Sequence, residues 1–202
     1  MSLWLAAQPL VLASKSESRR ALLEAAGIPV EVRPAEIDER AIEARAGAIK
    51  PGDAALLLAC EKARVVAGDH PHRIVLGADQ TLALGDQRFA KATDRLGVRS
   101  QLAALRGKAH ILHSALAVMR NDTVLFKHVD TACLTMRAFS DAFLDRYLDV
   151  AGNAATASVG GYQLEGIGGQ LFDRVAGDHS TILGLPLLPL LHWMREQDVL
   201  MK

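Results

Sequence analysis

The chain has 202 residues, half of them apolar, and its 23 basic residues are balanced by 23 acidic ones. That length buries a real core as one large domain or two small lobes, and the composition excludes a disordered chain. Zero net charge and 4% aromatic residues leave no bulk pull toward nucleic acid or an anionic membrane, and few rings for base stacking. From the start of the chain onward, Leu10–Ala13 reads as a short buried strand. A helix follows with Ala21, Leu22, Ala25 and Ala26 on one side, and Gly27 stops it. Val30-Glu31-Val32 alternates like a strand and leads into an acidic loop, Pro34 to Glu39. Asp53 is placed to cap a helix over 54–67. Ile74 to Asp79 reads as an apolar strand that finishes on a carboxylate, and Thr81 to Leu84 meets a Gly85-Asp86 hairpin turn.

Residues 94–105 are expected to be helical, with Gly107 beyond their end. Residues 109–120 pair with 123–136 across the turn Asn121-Asp122, and Ser140 caps a helix reaching Leu148. A glycine-rich span runs from Gly160 to Gly169, a strand covers 171–175, and a last helix follows Pro186. Helices and strands alternate, but the central hairpin rules out an all-parallel sheet. The expectation is an α/β protein with a mixed twisted sheet and two lobes around a central cleft. The first residues lack a basic stretch followed by a long apolar one, so a secretory signal is not expected. The most apolar tail, Ile182 to Trp193, is interrupted by Gly184, Pro186, Pro189 and His192, well short of the ~20 residues of a membrane span. A cytoplasmic protein is expected, with Cys60 and Cys133 as reduced core thiols.

Between the first strand and the first helix the chain places Ser14-Lys15-Ser16-Glu17-Ser18-Arg19-Arg20. A helix start offers unpaired backbone N–H groups and the positive end of a dipole. With the hydroxyls of Ser14 and Ser16 and the charges of Lys15, Arg19 and Arg20 it favours an anion. Two arginines in a first turn oppose that dipole, and a bound phosphate would compensate them. A capped surface helix with solvated arginines is the plainer alternative. Asp79, followed by Gln80, stands where open α/β sheets carry functional groups. Lys62, Lys91 and the acid pair Asp38-Glu39 could serve phosphate or metal, or simply be solvated. Tyr162 and Glu165 lie in the glycine-rich span, which suits close backbone approach to a ligand. His110 and His113 sit at i and i+3 in a strand and point to opposite faces, which argues against a zinc site.

Taken in order, these pieces resemble the Maf family, the septum-formation-inhibitor proteins regarded as nucleoside triphosphate pyrophosphatases. They are Leu12-Ala13-Ser14-Lys15-Ser16 with Arg19-Arg20, Asp38-Glu39, Glu61-Lys62-Ala63, Gly77-Ala78-Asp79, Lys91, 161–166 and Gly184-Leu185-Pro186-Leu187. The resemblance implies one domain over 1–202, a fold shared with inosine triphosphate pyrophosphatases, and a homodimer. It implies hydrolysis of a nucleoside triphosphate to monophosphate and pyrophosphate with a divalent cation, Mg²⁺, Mn²⁺ or Co²⁺. No membrane and no stable nucleic-acid partner is implied. Asp79 matches the family's general base or metal ligand, Glu39 an acid near the metal, and Ser14, Arg19, Arg20, Lys62 and Lys91 its phosphate contacts. Gln80 and Glu165 resemble the branch that acts on 7-methyl-GTP, whereas Ser18 replaces that branch's aromatic residue. Glu17-Ser18 also stand where the family has proline, Ala92 replaces the proline after Lys91, and Ser158 replaces a lysine. A nucleotide-binding regulator of cell division without useful turnover is the alternative reading.

Overall fold

Seven strands are found among residues 2–202, which the computed structural model describes. They are β1 (Leu10–Leu12), β2 (Val30–Val32), β3 (Val75–Leu84), β4 (Gln87–Phe89), β5 (Ala109–Arg120), β6 (Thr123–Met136) and β7 (Phe172–Ala176). Their order is β2-β1-β3-β5-β6-β7, with β4 paired to β3. β1 is parallel to β2 and β3, whereas β4 and β7 run antiparallel to β3 and β6. The sheet is therefore mixed and the fold is α/β, as expected. The helices are α1 (Glu17–Ala25), α2 (Glu39–Ala46), α3 (Pro51–Asp69), α4 (Arg95–Leu105), α5 (Asp141–Ala151), α6 (Ala154–Ala157), α7 (His179–Ile182) and α8 (Leu187–Glu196). No described helix is long and apolar enough to cross a membrane.

The chain divides into two compact units. The first holds the residues up to Gln80, Ser114–Asp130, and those from His179 onward. Strand alternation gives its strands two different coats. Val11, Ala13 and Val75 meet the alanine-rich side of α3, including Ala55, Ala59 and Ala63. Leu10, Leu12 and Leu76 meet Leu23 of α1 and Leu190, Trp193 and Met194 of α8. The α3 contact is unusually close at Gly77, where a Cβ would lie 2.7 Å from Ala63 N and collide with the Ala59 carbonyl. The second unit holds residues 81–113 and 131–178. Its buried side chains include Val98, Leu102 and Leu105 of α4, Leu144 and Leu148 of α5, Tyr162 and Leu171.

Several elements differ from the sequence expectation. The acidic loop holds from Pro34 to Asp38, but it ends in a helix the sequence did not announce: the Asp38 side chain accepts the Ala41 N–H and caps α2, which starts at Glu39. α3 begins at Pro51, suited to a first turn by its missing N–H, and Asp53 lies inside it rather than before it. α1 buries Arg19 and Leu23; Leu22 and Ala26 are only partly buried against the core. Asp79 does not end its strand: β3 continues to Leu84. What ends there is the neighbour, since β1 pairs with β3 only as far as Leu76. Both cysteines are free; Cys60 is half-buried and packs against the core beside α3, whereas Cys133 is exposed and not a core thiol.

Candidate active site

The site is built where β1 stops and α1 begins. Ala13 N donates to Leu76 O at 2.8 Å, the last backbone link to β3 before the chain turns away. Ser16 then caps α1, its hydroxyl accepting Arg19 N–H at 3.4 Å. The Ser14 hydroxyl accepts from Ser16 N at 3.3 Å and from Arg19 Nη1 at 2.9 Å. Arg19 points inward rather than to solvent. Its Nε donates to Gly184 O at 2.8 Å and its Nη1 also donates to Ala78 O at 2.9 Å. Gly184 adopts φ +93°, and a Cβ there would lie 3.2 Å from Arg19 Nη2. Burial disfavours the guanidinium charge, while Asp79 and Glu39 favour it. Arg20, one residue on, is exposed and pairs with Glu24 at 2.8 Å. The charge that opposes the helix dipole is thus met by the protein's own acceptors.

Asp79 and Gln80 are successive strand residues and face opposite ways. Asp79 faces α3, where Lys62 Nζ lies 2.6 Å from its Oδ1. The same ammonium lies 2.7 Å from Glu39 Oε1 in the first turn of α2. The two carboxylates therefore converge on one cation. Asp79 is 8% exposed. Burial pushes its carboxyl above the usual range and Glu39 adds to this, against the pull of Lys62 and Arg19. A buried carboxylate raised in this way is suited to taking a proton, and its paired ammonium keeps its charge tolerable.

Gln80 faces the other side. Its Nε2 donates to Ser114 Oγ at 2.8 Å, Ile182 O at 3.0 Å and Thr181 O at 3.1 Å. The structure thus gathers Ser14, Ser16, Arg19, Lys62, Asp79 and Glu39. Arg20 lies exposed on α1. Lys91 and Glu165 belong to the second unit, both exposed, Lys91 after β4 and Glu165 in the glycine-rich span.

That span is anchored by neutral groups. Gly160 and Gly161 have φ of +83° and +79°. Tyr147 Oη donates to Gly161 O at 3.0 Å, and Tyr162 Oη lies 2.7 Å from His110 Nε2. Burial alone pushes the His110 pKa down to about 4. Sequence reasoning missed this pair because His110 was weighed only as a metal ligand. It also missed Ser114 and Thr181, for which a lone hydroxyl in an apolar run gave no signal.

An α/β fold that aims a buried carboxylate, an ammonium and a guanidinium at one place has the makings of phosphate chemistry. A family described as Maf-like protein matches residues 9–197, and the chain belongs to it. The chain is 58% identical to a nucleoside triphosphate pyrophosphatase of Rhodopseudomonas palustris (strain BisB5), over 99% of both chains. It is 49% identical to a 7-methyl-GTP pyrophosphatase of Rhizobium meliloti (strain 1021), over 93% of this chain and 95% of that one. Among solved structures, a HAM1 protein from Coxiella burnetii aligns at a TM-score of 0.42 and 18% identity, covering 63% of this chain and 72% of that one.

Proposed function

We propose that this protein hydrolyses a nucleoside triphosphate to the monophosphate and pyrophosphate, with Asp79 receiving the proton of the attacking water. The observation that carries the reading is the Asp79 carboxylate, buried and held at 2.6 Å by Lys62. Water attacks the α-phosphorus, the bond to the bridging oxygen breaks, and pyrophosphate leaves with that electron pair. The protein's part is positioning and offsetting charge rather than covalent chemistry. Lys62 lies beside the base, while Lys15 and Arg20, both exposed, offer further positive charge to phosphate oxygens. Lys91 extends the set by its place in the family's pattern.

Asp79 and Glu39 also suit a hard divalent cation such as Mg²⁺, Mn²⁺ or Co²⁺. Both offer oxygen donors, and both already meet at one cation, the Lys62 ammonium. No three His, Cys, Asp or Glu side chains gather as a metal-holding group among the described residues. Phosphate oxygens and water would complete the shell of an ion held by these two acids. When bound, such an ion polarises phosphate oxygens and acidifies a water.

For the base, the reading is a 7-methylated guanine. One relative is named for 7-methyl-GTP, and the exposed Glu165 carboxylate suits the cationic methylated ring. The reading also carries a homodimer in the cytoplasm, which sedimentation and cell fractionation test. The decisive assay supplies GTP, UTP, dTTP and 7-methyl-GTP with each cation and scores pyrophosphate and orthophosphate separately. Pyrophosphate with monophosphate is expected, and Asp79→Asn should lower turnover by about 10² or more. Stepwise orthophosphate release through a diphosphate would sink the proposal.

A further inference from the structure

Glu165 stands exposed on a short loop that is fastened at its base. Gly166 N donates to Gln163 O at 3.2 Å, which closes a turn around Leu164 and Glu165. Gly168 lies flat on the same residue, since a Cβ there would collide with Gln163 O and stand 2.9 Å from Gln163 N. The turn is thus one piece with Gln163, and Gln163 follows directly on Tyr162. Tyr162 is buried, with its ring edge-on to Phe172 of β7 at 4.8 Å between centroids. Its hydroxyl lies 2.7 Å from Nε2 of His110, at the start of β5. His110 is buried too, and among the described residues its Nδ1 has no partner. Burial keeps the imidazole neutral near pH 7, so the tie joins two uncharged groups.

We infer that His110 and Tyr162 are positioning residues for base selection: the pair fixes where the Glu165 carboxylate stands, and with it the preference for a cationic nucleobase. A histidine buried beside two rings with Nδ1 unpaired costs stability, and an apolar side chain would fill the space without that cost. What the imidazole supplies and a leucine does not is one directed hydrogen bond. That bond falls on the ring from which the loop departs. Packing on Phe172 sets the plane of the ring, and the bond to His110 sets its distance from β5. On the other side of Tyr162, Tyr147 Oη holds Gly161 O at 3.0 Å. His110 and Tyr162 have almost no surface with which to touch a nucleotide. Any effect on base choice must therefore pass through the loop. A displacement of about 1 Å is enough to spoil a positioned contact.

The inference rests on the reading of Glu165 given above, and the test separates the two. Tyr162→Phe keeps the ring and deletes the hydroxyl, His110→Leu deletes the ring nitrogen, and His110→Gln offers an amide in its place. Each is assayed on 7-methyl-GTP and GTP, alone and combined with Glu165→Gln, well below its melting point. Tyr162→Phe and His110→Leu should each lower the ratio of kcat/KM for 7-methyl-GTP to that for GTP by about fivefold, with the loss in KM. That is the upper range for an exposed charge contact. His110→Gln should keep most of the parent's ratio. Combined with Glu165→Gln, none should lower the ratio further, because all act through that carboxylate. Amide exchange over residues 162–168 should quicken in Tyr162→Phe and His110→Leu. Either variant alone decides the matter. A ratio lost in Glu165→Gln but kept in Tyr162→Phe or His110→Leu would overturn this inference alone, and so would a further loss in the combined variants. A parent that does not favour 7-methyl-GTP, or a ratio that Glu165→Gln leaves unchanged, would overturn the reading of Glu165 and this inference with it.

Discussion

The Asp79 cluster of the first unit and the glycine-rich span of the second hold their side chains by opposite means. Around Asp79 the fasteners are ionic: an ammonium shared by two carboxylates, and a buried guanidinium resting on two backbone carbonyls and a serine. Around Gly160 to Tyr162 they are neutral: glycines at positive φ, a tyrosine on a backbone carbonyl, and a tyrosine–histidine pair. The first arrangement places charge where a proton and phosphates are handled, and it is costly unless every partner is present. The second fixes a backbone path without placing charge beside it. Each should therefore fail in its own way: the ionic one through an unpaired charge, the neutral one through acid or bulk.

The sharpest way to break the ionic half is Lys62→Met. Lys62 is 12% exposed and its partner Asp79 11% by side chain. Removing it leaves a buried carboxylate without its cation, a loss of about 3–5 kcal/mol for a buried pair. Asp79 should then titrate still higher, since Lys62 is the largest influence holding it down. Adding Asp79→Asn to Lys62→Met should restore much of the stability while leaving turnover absent. Denaturant melts of the two single variants and the double variant measure this. Additive losses would mean that the pair is not coupled.

The neutral half should break with acid. His110 is buried without charge, its pKa held at about 4 against an ordinary 6.5. The unfolded chain binds the proton below about pH 6.5 and the folded one only near 4. The stability that a neutral His110 contributes is therefore complete above pH 6.5. It is lost as pH falls through that window, at up to about 1.4 kcal/mol per unit. In His110→Gln that part of the slope should vanish. Thermal midpoints of both proteins from pH 7 to pH 4 decide it, and parallel curves would remove His110 as the cause. Bulk should break the same half at Gly160, where a Cβ would lie 2.6 Å from Leu82 Cδ1 and 2.8 Å from Tyr162 Cε1. Its φ of +83° adds strain for any L side chain. Gly160→Ala should lower stability by about 1–3 kcal/mol, and Gly166→Ala, with only Gln163 O at 3.8 Å, by less.

These contrasts also mark what could be read in the sequence. Strands, hairpins and most helices were legible because apolar alternation, Gly107, Asn121-Asp122 and Ser140 are local signals. α2 was not, because Asp38 looked like one of several loop acids and became a cap only once Ala41 N–H was in reach. Lys62, Asp79 and Glu39 were legible as residue types at family positions. Their convergence was not, since it depends on Gly77 letting α3 lie against β3. Gln80 was legible as a residue near the substrate, but not its tie to the end of α7, which joins residues a hundred positions apart in a fold the chain must first make. The burial of Arg19 against Gly184 O was hidden for the same reason.

The smallest expected effect on stability separates two residues that are neighbours in sequence. Arg19 and Arg20 look equivalent, yet one is buried among carbonyl acceptors and the other is exposed beside Glu24. Exposed ion pairs on a helix contribute little and are screened by salt. Arg20→Ala should leave the melting temperature almost unchanged. If its guanidinium meets phosphate, kcat/KM should fall about tenfold at low salt, the lower end for a charge-assisted contact. That deficit should shrink as salt rises and already screens the parent. Arg19→Ala removes the bonds to Gly184 O, Ala78 O and Ser14 Oγ together. It should lower both the melting temperature and the turnover, and salt should not narrow the difference, because the contacts are shielded from solvent. Measuring kcat/KM for both variants across a salt series sets the two arginines apart. Matching salt curves would show that burial of Arg19 does not divide structural from electrostatic work at this helix start.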